Sequence, residues 1–394
     1  MKKFMACITA LIISILIIGC FQFAVSNDSL KSADIGTWVN PYKYTSLAGI
    51  TANLDKNTMP IFGSSEFNHP KKSKYHPRVV FRNQQLTPML LGTRFSQSMV
   101  QAITLASIEP HMKLRKAVIL VSPTWFTGHG AKPQGFALRF SDSEYVAMLK
   151  NENIPYALRS QMAKRTVRLL STSDSQRKFV NLYNKVYLWK NSTAAERVLC
   201  RIRMQFIANR DRTDFVTAMK MDGIAAGNTK VVSGKTPDWK KLYKSASAGA
   251  KKKSGRDIFF MNKKTFLKSF KPKMKKAIRH IPHMKLTSKN EFGDLDVFLK
   301  ICKASGIKAK VIVLPINGFF YSHFGISDKE VSKFETKIHK LAKADNAEIT
   351  DELNLSFTPY FMQDAVHLSG KGWVKTNETI YKFYKEKRTQ NNNR

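Results

Sequence analysis

Hydrophobic and polar positions divide this chain into three kinds of segment. From Phe4 to Val25 the run FMACITALIISILIIGCFQFAV carries no charge, and about 22 helical residues at about 1.5 Å each cover roughly 33 Å, enough to cross a bilayer. A polar stretch follows to about residue 55. Beyond it, short and nearly continuous apolar runs alternate with longer amphipathic ones. TMPIF (58–62), KAVILVSP (116–123) and KAKVIVLPIN (308–317) predict strands buried on both faces, as in a parallel sheet. Residues 96–108, 143–170, 292–305 and 327–344 predict helices. The alternation predicts an α/β fold around a central parallel sheet.

The third kind of segment breaks this rhythm. Residues from about 145 to 290 hold no strand pattern, and the stretch 229–256 is rich in Gly, Ser and Lys. A helical, basic insertion is the expectation. Within it, KPKMKKAIRHIPHMK (271–285) concentrates positive charge, and His280 and His283 sit among those lysines with no carboxylate nearby. They predict solvated surface, and neither a metal site nor a cofactor site is expected.

Charge orients the first segment. Lys2 and Lys3 precede it, whereas Asp28, Lys31, Asp34 and Lys43 balance beyond it, which predicts a cytoplasmic N-terminus and an extracellular remainder. The expected organisation is therefore a cytoplasmic N-terminus and transmembrane helix at 1–27, then one extracellular domain at 28–394. Lipidation at Cys20, which ends IIGC, and cleavage after AVS (24–26) are the alternatives to an uncleaved anchor.

Composition narrows the class of partner. With 43% hydrophobic residues among 394, the chain can bury a sizeable core. Its 66 Lys and Arg against 28 Asp and Glu leave a net charge of +38, which attracts polyanions. Outside a cell membrane these are anionic lipid head groups and phosphate-rich wall polymers, so nucleic acid is not expected. Cys7 and Cys20 fall in the anchor, and Cys200 and Cys302 allow one disulfide at most.

Candidate chemistry sits at the ends of the predicted strands. TMPIF runs into Gly63-Ser64-Ser65-Glu66. A glycine at a strand end permits a sharp turn, and a serine just after it stands where the first helical N–H groups can stabilise an oxyanion. Near the other end, Asp364 and His367 are three residues apart. That spacing lets a carboxylate orient the imidazole and leaves Nε2 free to act as base. The order is Ser, Asp, His.

An elbow serine at the first strand and a C-terminal D-x-x-H resemble the SGNH (GDSL-like) hydrolases. The apolar N-terminus, FGSSE (62–66), LLGTRFSQS (90–98), VSPTWF (121–126), LPIN (314–317) and DAVHLSGKGW (364–373), in this order, are together similar to the DltD family of D-alanine transfer proteins. The resemblance implies a three-layer SGNH-like fold with the nucleophile at Ser65, the base at His367 and its orienting acid at Asp364. It gives Gly92 and the backbone at Ser65 to the oxyanion hole, and puts Ser64 at the place of the G-D-S aspartate. The third block falls at Thr124 and Trp125, where the family's Gln is replaced by Thr. Glu66 is a candidate contact for a substrate ammonium, and Asn317 is a spare amide.

The function so implied is a membrane-anchored extracellular acyltransferase that moves D-alanine onto lipoteichoic or teichoic acid through a D-alanyl-serine ester. Implied partners are lipoteichoic acid, the pathway's multipass membrane acyltransferase and the cell membrane. The D-alanyl carrier protein is a further candidate, against which the outside topology argues. An esterase or thioesterase using the same triad, and a non-catalytic teichoic-acid-binding scaffold, remain alternatives.

Overall fold

A computed structural model describes residues 28–386 except 71, 231, 233, 234, 256, 273–283 and 324, and before them only positions 5, 9 and 13. The expected anchor, apart from those three positions, and residues 273–283 of the basic run, with His280 and His283, lie outside the described residues. Among the described residues no helix is long and apolar enough to cross a membrane.

Five strands form one parallel sheet in the order β2-β1-β3-β4-β5. They are β1 (Thr58–Phe62), β2 (Thr87–Leu91), β3 (Lys116–Val121), β4 (Lys308–Val313) and β5 (Glu348–Asp351). The three apolar runs legible in the sequence are the three central strands. β1 and β3 are buried at every position, as a parallel sheet covered on both faces requires.

The longer helices are α1 (Ser98–Ile108), α2 (Asp142–Lys150), α3 (Tyr156–Leu169), α4 (Asp174–Tyr183), α5 (Ala194–Met221), α6 (Trp239–Lys253), α7 (Lys289–Ala304), α8 (Asp328–Ala344) and α9 (Gly370–Lys385). The helix expected over 143–170 is two helices. Pro155, which has no N–H to continue a helical ladder, stands just before α3, and the Asn151 amide at the end of α2 is drawn aside to the Ala106 carbonyl (2.8 Å). Among the described residues, no strand of the sheet comes from between β3 and β4.

Alternate strand residues enter two cores. Phe62, Leu91, Ile119, Val121, Val311 and Val313 pack beneath α1, α2 and α7. Ile61, Leu90, Val118, Leu120, Ile312 and Leu314 pack on the other face against Trp373, Ile380 and Phe383 of α9 and Ala246 of α6. This is the period-two alternation of a strand expressed as helix–sheet–helix layers. Cys200 and Cys302 are both buried and free, so the disulfide the sequence allows is not formed.

Candidate active site

All strands being parallel, their C-terminal ends share one edge of the sheet, where open α/β sheets hold their ligands. Ser65 follows β1, Gly92 follows β2, Thr124 follows β3 and Asn317 follows β4. The Asp364–His367 loop closes over the same edge, since the Asn317 N–H donates to the Ala365 carbonyl (3.0 Å).

Ser65 opens a single 3-10 turn, Ser65–Asn68, so its N–H has no acceptor within that turn. The glycine before the elbow is tightly held. The Gly63 carbonyl accepts from the Gln101 amide (2.8 Å) and abuts Gly92, whose φ is +137° and where an added Cβ would fall 1.9 Å from that oxygen. Only glycine satisfies both the backbone angle and the space. Gly92 therefore sets the turn behind the serine; it is not among the residues lining the cleft described below.

Ser65 Oγ lies 2.9 Å from His367 Nε2. On the far side of the ring, Nδ1 is 2.9 and 3.1 Å from the two oxygens of Asp364. The D-x-x-H spacing works because it folds as a turn. Asp364 Oδ1 accepts the N–H groups of Val366 (2.9 Å) and His367 (2.8 Å), and the Gln363 N–H donates to the His367 carbonyl (2.9 Å). Burial would raise the Asp364 carboxyl, but the His367 ring and these backbone donors hold it below its ordinary 3.8. Burial would lower His367; hydrogen bonding to Asp364 and the charges of Asp364 and Glu66 overcome it and raise the imidazole above 6.5.

The arrangement can therefore take a proton from a serine hydroxyl and stabilise the imidazolium that results.

A cleft of about 650 Å³ opens beside the serine, lined by Ser64, Ser65, Thr124 and Trp125, by Arg94, Phe95 and Gln97 after β2, and by the 127–133 loop. No carboxylate lines it. Thr124 Oγ1 is 2.9 Å from Ser122 Oγ, and the Trp125 carbonyl accepts from Gln97 (3.4 Å). Ser64 turns its hydroxyl to the Thr93 carbonyl (3.1 Å). Glu66 is 3% exposed, accepts the Ser64 N–H (2.5 Å), and is raised above 4.5 by burial. It stands behind the elbow rather than in the cleft. Asn317 is likewise buried, its amide donating to the carbonyls of Phe259 (2.9 Å) and Asp364 (3.4 Å) beneath the loop.

Two groups at the site were not singled out from the sequence. His69 stacks on His367 at a tilt of 31°, and its carbonyl accepts from the Trp373 indole of α9 (2.8 Å). Glu291, fully buried on α7, receives the Ser98 N–H and hydroxyl (3.1 and 2.8 Å) and the Ala131 N–H (3.2 Å), which ties the cleft loop to α1. Burial, with Asp294 nearby, pushes its carboxyl up to about 7. Elsewhere on the surface Glu335, His339 and Asp351 bring three ligand atoms within 4.8 Å of one another. The 3.1 Å contact between His339 and Asp351 already explains their closeness by joining α8 to β5.

The profile of the DltD protein family matches residues 40–385. Protein DltD of Bacillus subtilis (strain 168) is 27% identical over 338 residues, covering 84% of this chain and 83% of that protein. Protein DltD of Staphylococcus aureus (strain NCTC 8325 / PS 47) is 26% identical over 330 residues, 83% and 81% of the two chains. Protein DltD of Lacticaseibacillus rhamnosus is 22% identical over 337 residues, 84% and 78% of the two. The matched region spans the sheet, the elbow and the Asp364–His367 loop, and the chain belongs to the DltD protein family.

Proposed function

We propose that this chain acts in the D-alanylation of teichoic acid as a membrane-anchored, serine-dependent acyltransferase of SGNH type, working on the outer face of the membrane. The supporting observation is the hydrogen-bonded chain from Ser65 through His367 to Asp364, with both links at 2.9 Å. Ser65 Oγ attacks the carbonyl carbon of an activated D-alanyl donor as His367 takes the hydroxyl proton. The new C–O bond forms, the bond to the leaving group breaks, and His367 returns the proton to that group. A D-alanyl ester on Ser65 results. A hydroxyl of the acceptor then gives its proton to His367 and attacks the ester, and Ser65 is released with the proton. N–H groups at the sheet edge, with the Thr124 hydroxyl, hold the oxyanion in each half.

A polyanionic acceptor suits the surroundings. Arg94 and Lys132 stand at the cleft. Beyond it a groove of about 620 Å³ is lined by Lys164, Arg168 and Lys289. Cleft and groove are neighbours: Gln97 lines one and Met99 the other, and Asn290 on the groove side donates to the His129 carbonyl on the cleft side (3.2 Å). We assign lipoteichoic acid as acceptor, and the pathway's multipass membrane acyltransferase as the source of the acyl group. Residues 1–27 supply the anchor. The D-alanyl carrier protein is given no direct contact.

The test is transfer from an activated D-alanyl donor to a polyglycerol phosphate chain by the full-length protein. Wild type is expected to esterify the polymer and Ser65→Ala to lose the activity. Release of free D-alanine alone would make the protein a hydrolase, and undiminished transfer by Ser65→Ala would make it a scaffold.

A further inference from the structure

Helix α5 is the longest helix described, with 28 residues, about 42 Å at about 1.5 Å per residue. Its N-terminus is closed by a capping box between Thr193 and Glu196, and Cys200, Ile207, Phe215 and Met219 bury one of its faces. A different face stays bare. Val198, Leu199, Ile202 and Phe206 are between 51 and 61% exposed. Soluble surfaces scatter such residues singly; four on one helical stripe call for a partner.

The same helical face runs on toward the C-terminus, where it turns polar. Val198, Ile202, Phe206, Thr213 and Lys220 follow at spacings of four, four, seven and seven, a single face of a 3.6-residue helix. Lys220 at the end of that face holds the Asp28 carboxylate (2.7 Å), and Arg212 donates to the Asp28 carbonyl (2.6 Å). Asp28 directly follows the uncharged segment of residues 4–27. The chain thus meets the helix on the face that carries the bare apolar stripe, a few residues from where a membrane-spanning segment would end. Arg197 and Arg201 on one side of the stripe and the half-exposed Arg210 on the other give it cationic borders, whereas Arg203 turns inward onto Phe179, Tyr183 and Asp142.

We propose that α5 is an interfacial helix, lying along the outer leaflet of an anionic bilayer with Val198, Leu199, Ile202 and Phe206 inserted at the head-group boundary. The proposal rests on the anchoring part of the proposed function. An apolar stripe between arginines is the pattern of helices that lie in this plane, the side chains entering the acyl boundary and the guanidinium groups meeting lipid phosphates. A lipid surface is favoured over a protein groove because cations border the stripe on both sides, whereas a protein partner would need an acidic rim matching each border. The consequence for function is orientation. With α5 flat, the domain is held at two places, the anchor exit and the stripe, so the cleft keeps a fixed height and direction above the membrane.

The test places the photo-crosslinking residue p-benzoylphenylalanine in the full chain at position 202 (Ile202→p-benzoylphenylalanine), with Lys240→p-benzoylphenylalanine on α6 as the control, in liposomes containing phosphatidylglycerol. The expected result is a lipid adduct at 202 at least about fivefold above that at 240, reduced when phosphatidylglycerol is replaced by phosphatidylcholine. Equal lipid adducts at the two positions, or none at either, would overturn the proposal. A protein adduct at 202 in native membranes with no lipid adduct would overturn it in favour of a docked partner. Alkaline carbonate extraction separates the premise from the inference: a chain that washes off has no anchor, whereas one that stays but gives no lipid adduct at 202 loses only the interfacial helix.

Discussion

The imidazole of His69 lies over that of His367, with ring centroids 4.1 Å apart, so a second histidine shields the base that faces Ser65. Partial burial and then the charge of His367 hold His69 below its ordinary 6.5. Replacing it by alanine opens His367 to water and removes a competing site of positive charge, and both effects favour the protonated base. His69→Ala is therefore expected to move the acid limb of the acylation profile up by about half a pH unit, with the plateau rate changed less than about threefold. A limb that stays in place or moves down would reduce His69 to packing.

Because Asp364 raises His367 above 6.5, the neutral base needed for attack is depleted in mildly acidic solution, and acylation should rise through an apparent pKa above 6.5. Asp364→Asn removes the raising charge, so the limb should move to lower pH while the plateau falls by about 10³-fold or more. Stability follows the opposite signs of the two shifts. The raised His367 stabilises the fold below its unfolded pKa, and that contribution is lost as pH rises through the folded value. The lowered Asp364 stabilises above its unfolded pKa, and that contribution is lost as pH falls through the folded value. The pair contributes most between about pH 4 and 6.5, a window that Asp364→Asn should flatten in urea titrations.

Two glycines of positive φ should answer differently to alanine. At Gly92 an added Cβ meets the Gly63 carbonyl at 1.9 Å, whereas at Gly128, with φ +56°, it meets nothing within 4 Å. Gly92→Ala is expected to cost about 3 kcal/mol or more and to reduce acylation by shifting the elbow, and Gly128→Ala about 1 kcal/mol. Comparable urea midpoints for the two variants would contradict the tight contact behind Ser65.

Thr124 follows β3 and lines the cleft beside Ser65. If its hydroxyl serves the oxyanion, Thr124→Val should lower kcat by about 10- to 100-fold, with KM and stability nearly unchanged. An unaltered kcat would leave the hole to backbone N–H groups alone.

The groove beside the cleft should matter only to the acceptor. Lys164→Gln/Arg168→Gln is expected to weaken polyglycerol phosphate binding by about tenfold at low salt, the difference shrinking as salt screens it. Lys240→Gln/Lys244→Gln on α6, across the sheet, removes the same charge and should do little; equal losses would point to net charge rather than to the groove.

Much of this was legible in the chain because burial leaves a one-dimensional trace. β1, β3 and β4 read as strands since most of their side chains are apolar on both faces. β2 and β5 did not. β2 is buried at four of its five positions, but its apolar run after Thr87 is only four residues and starts with Pro88; β5, at the other edge, is four half-buried residues, Glu348–Asp351, with no apolar run. Ser65, Asp364 and His367 could be picked out because each sits in a local pattern, a glycine turn or a three-residue spacing. His69 and Glu291 have no such pattern: their roles arise from contacts with His367 and with Ser98 and Ala131, far away in sequence, which only the fold creates. Glu66, read as an open carboxylate, proved to be buried because its side chain turns back to satisfy the Ser64 N–H.

The most direct measurement is intact-mass and peptide analysis of the full chain after brief exposure to an activated D-alanyl thioester. A gain of one D-alanyl group located on Ser65, absent from Ser65→Ala and discharged on adding polyglycerol phosphate, is the predicted result. An acyl group on another residue, or turnover by Ser65→Ala at the wild-type rate, would contradict it.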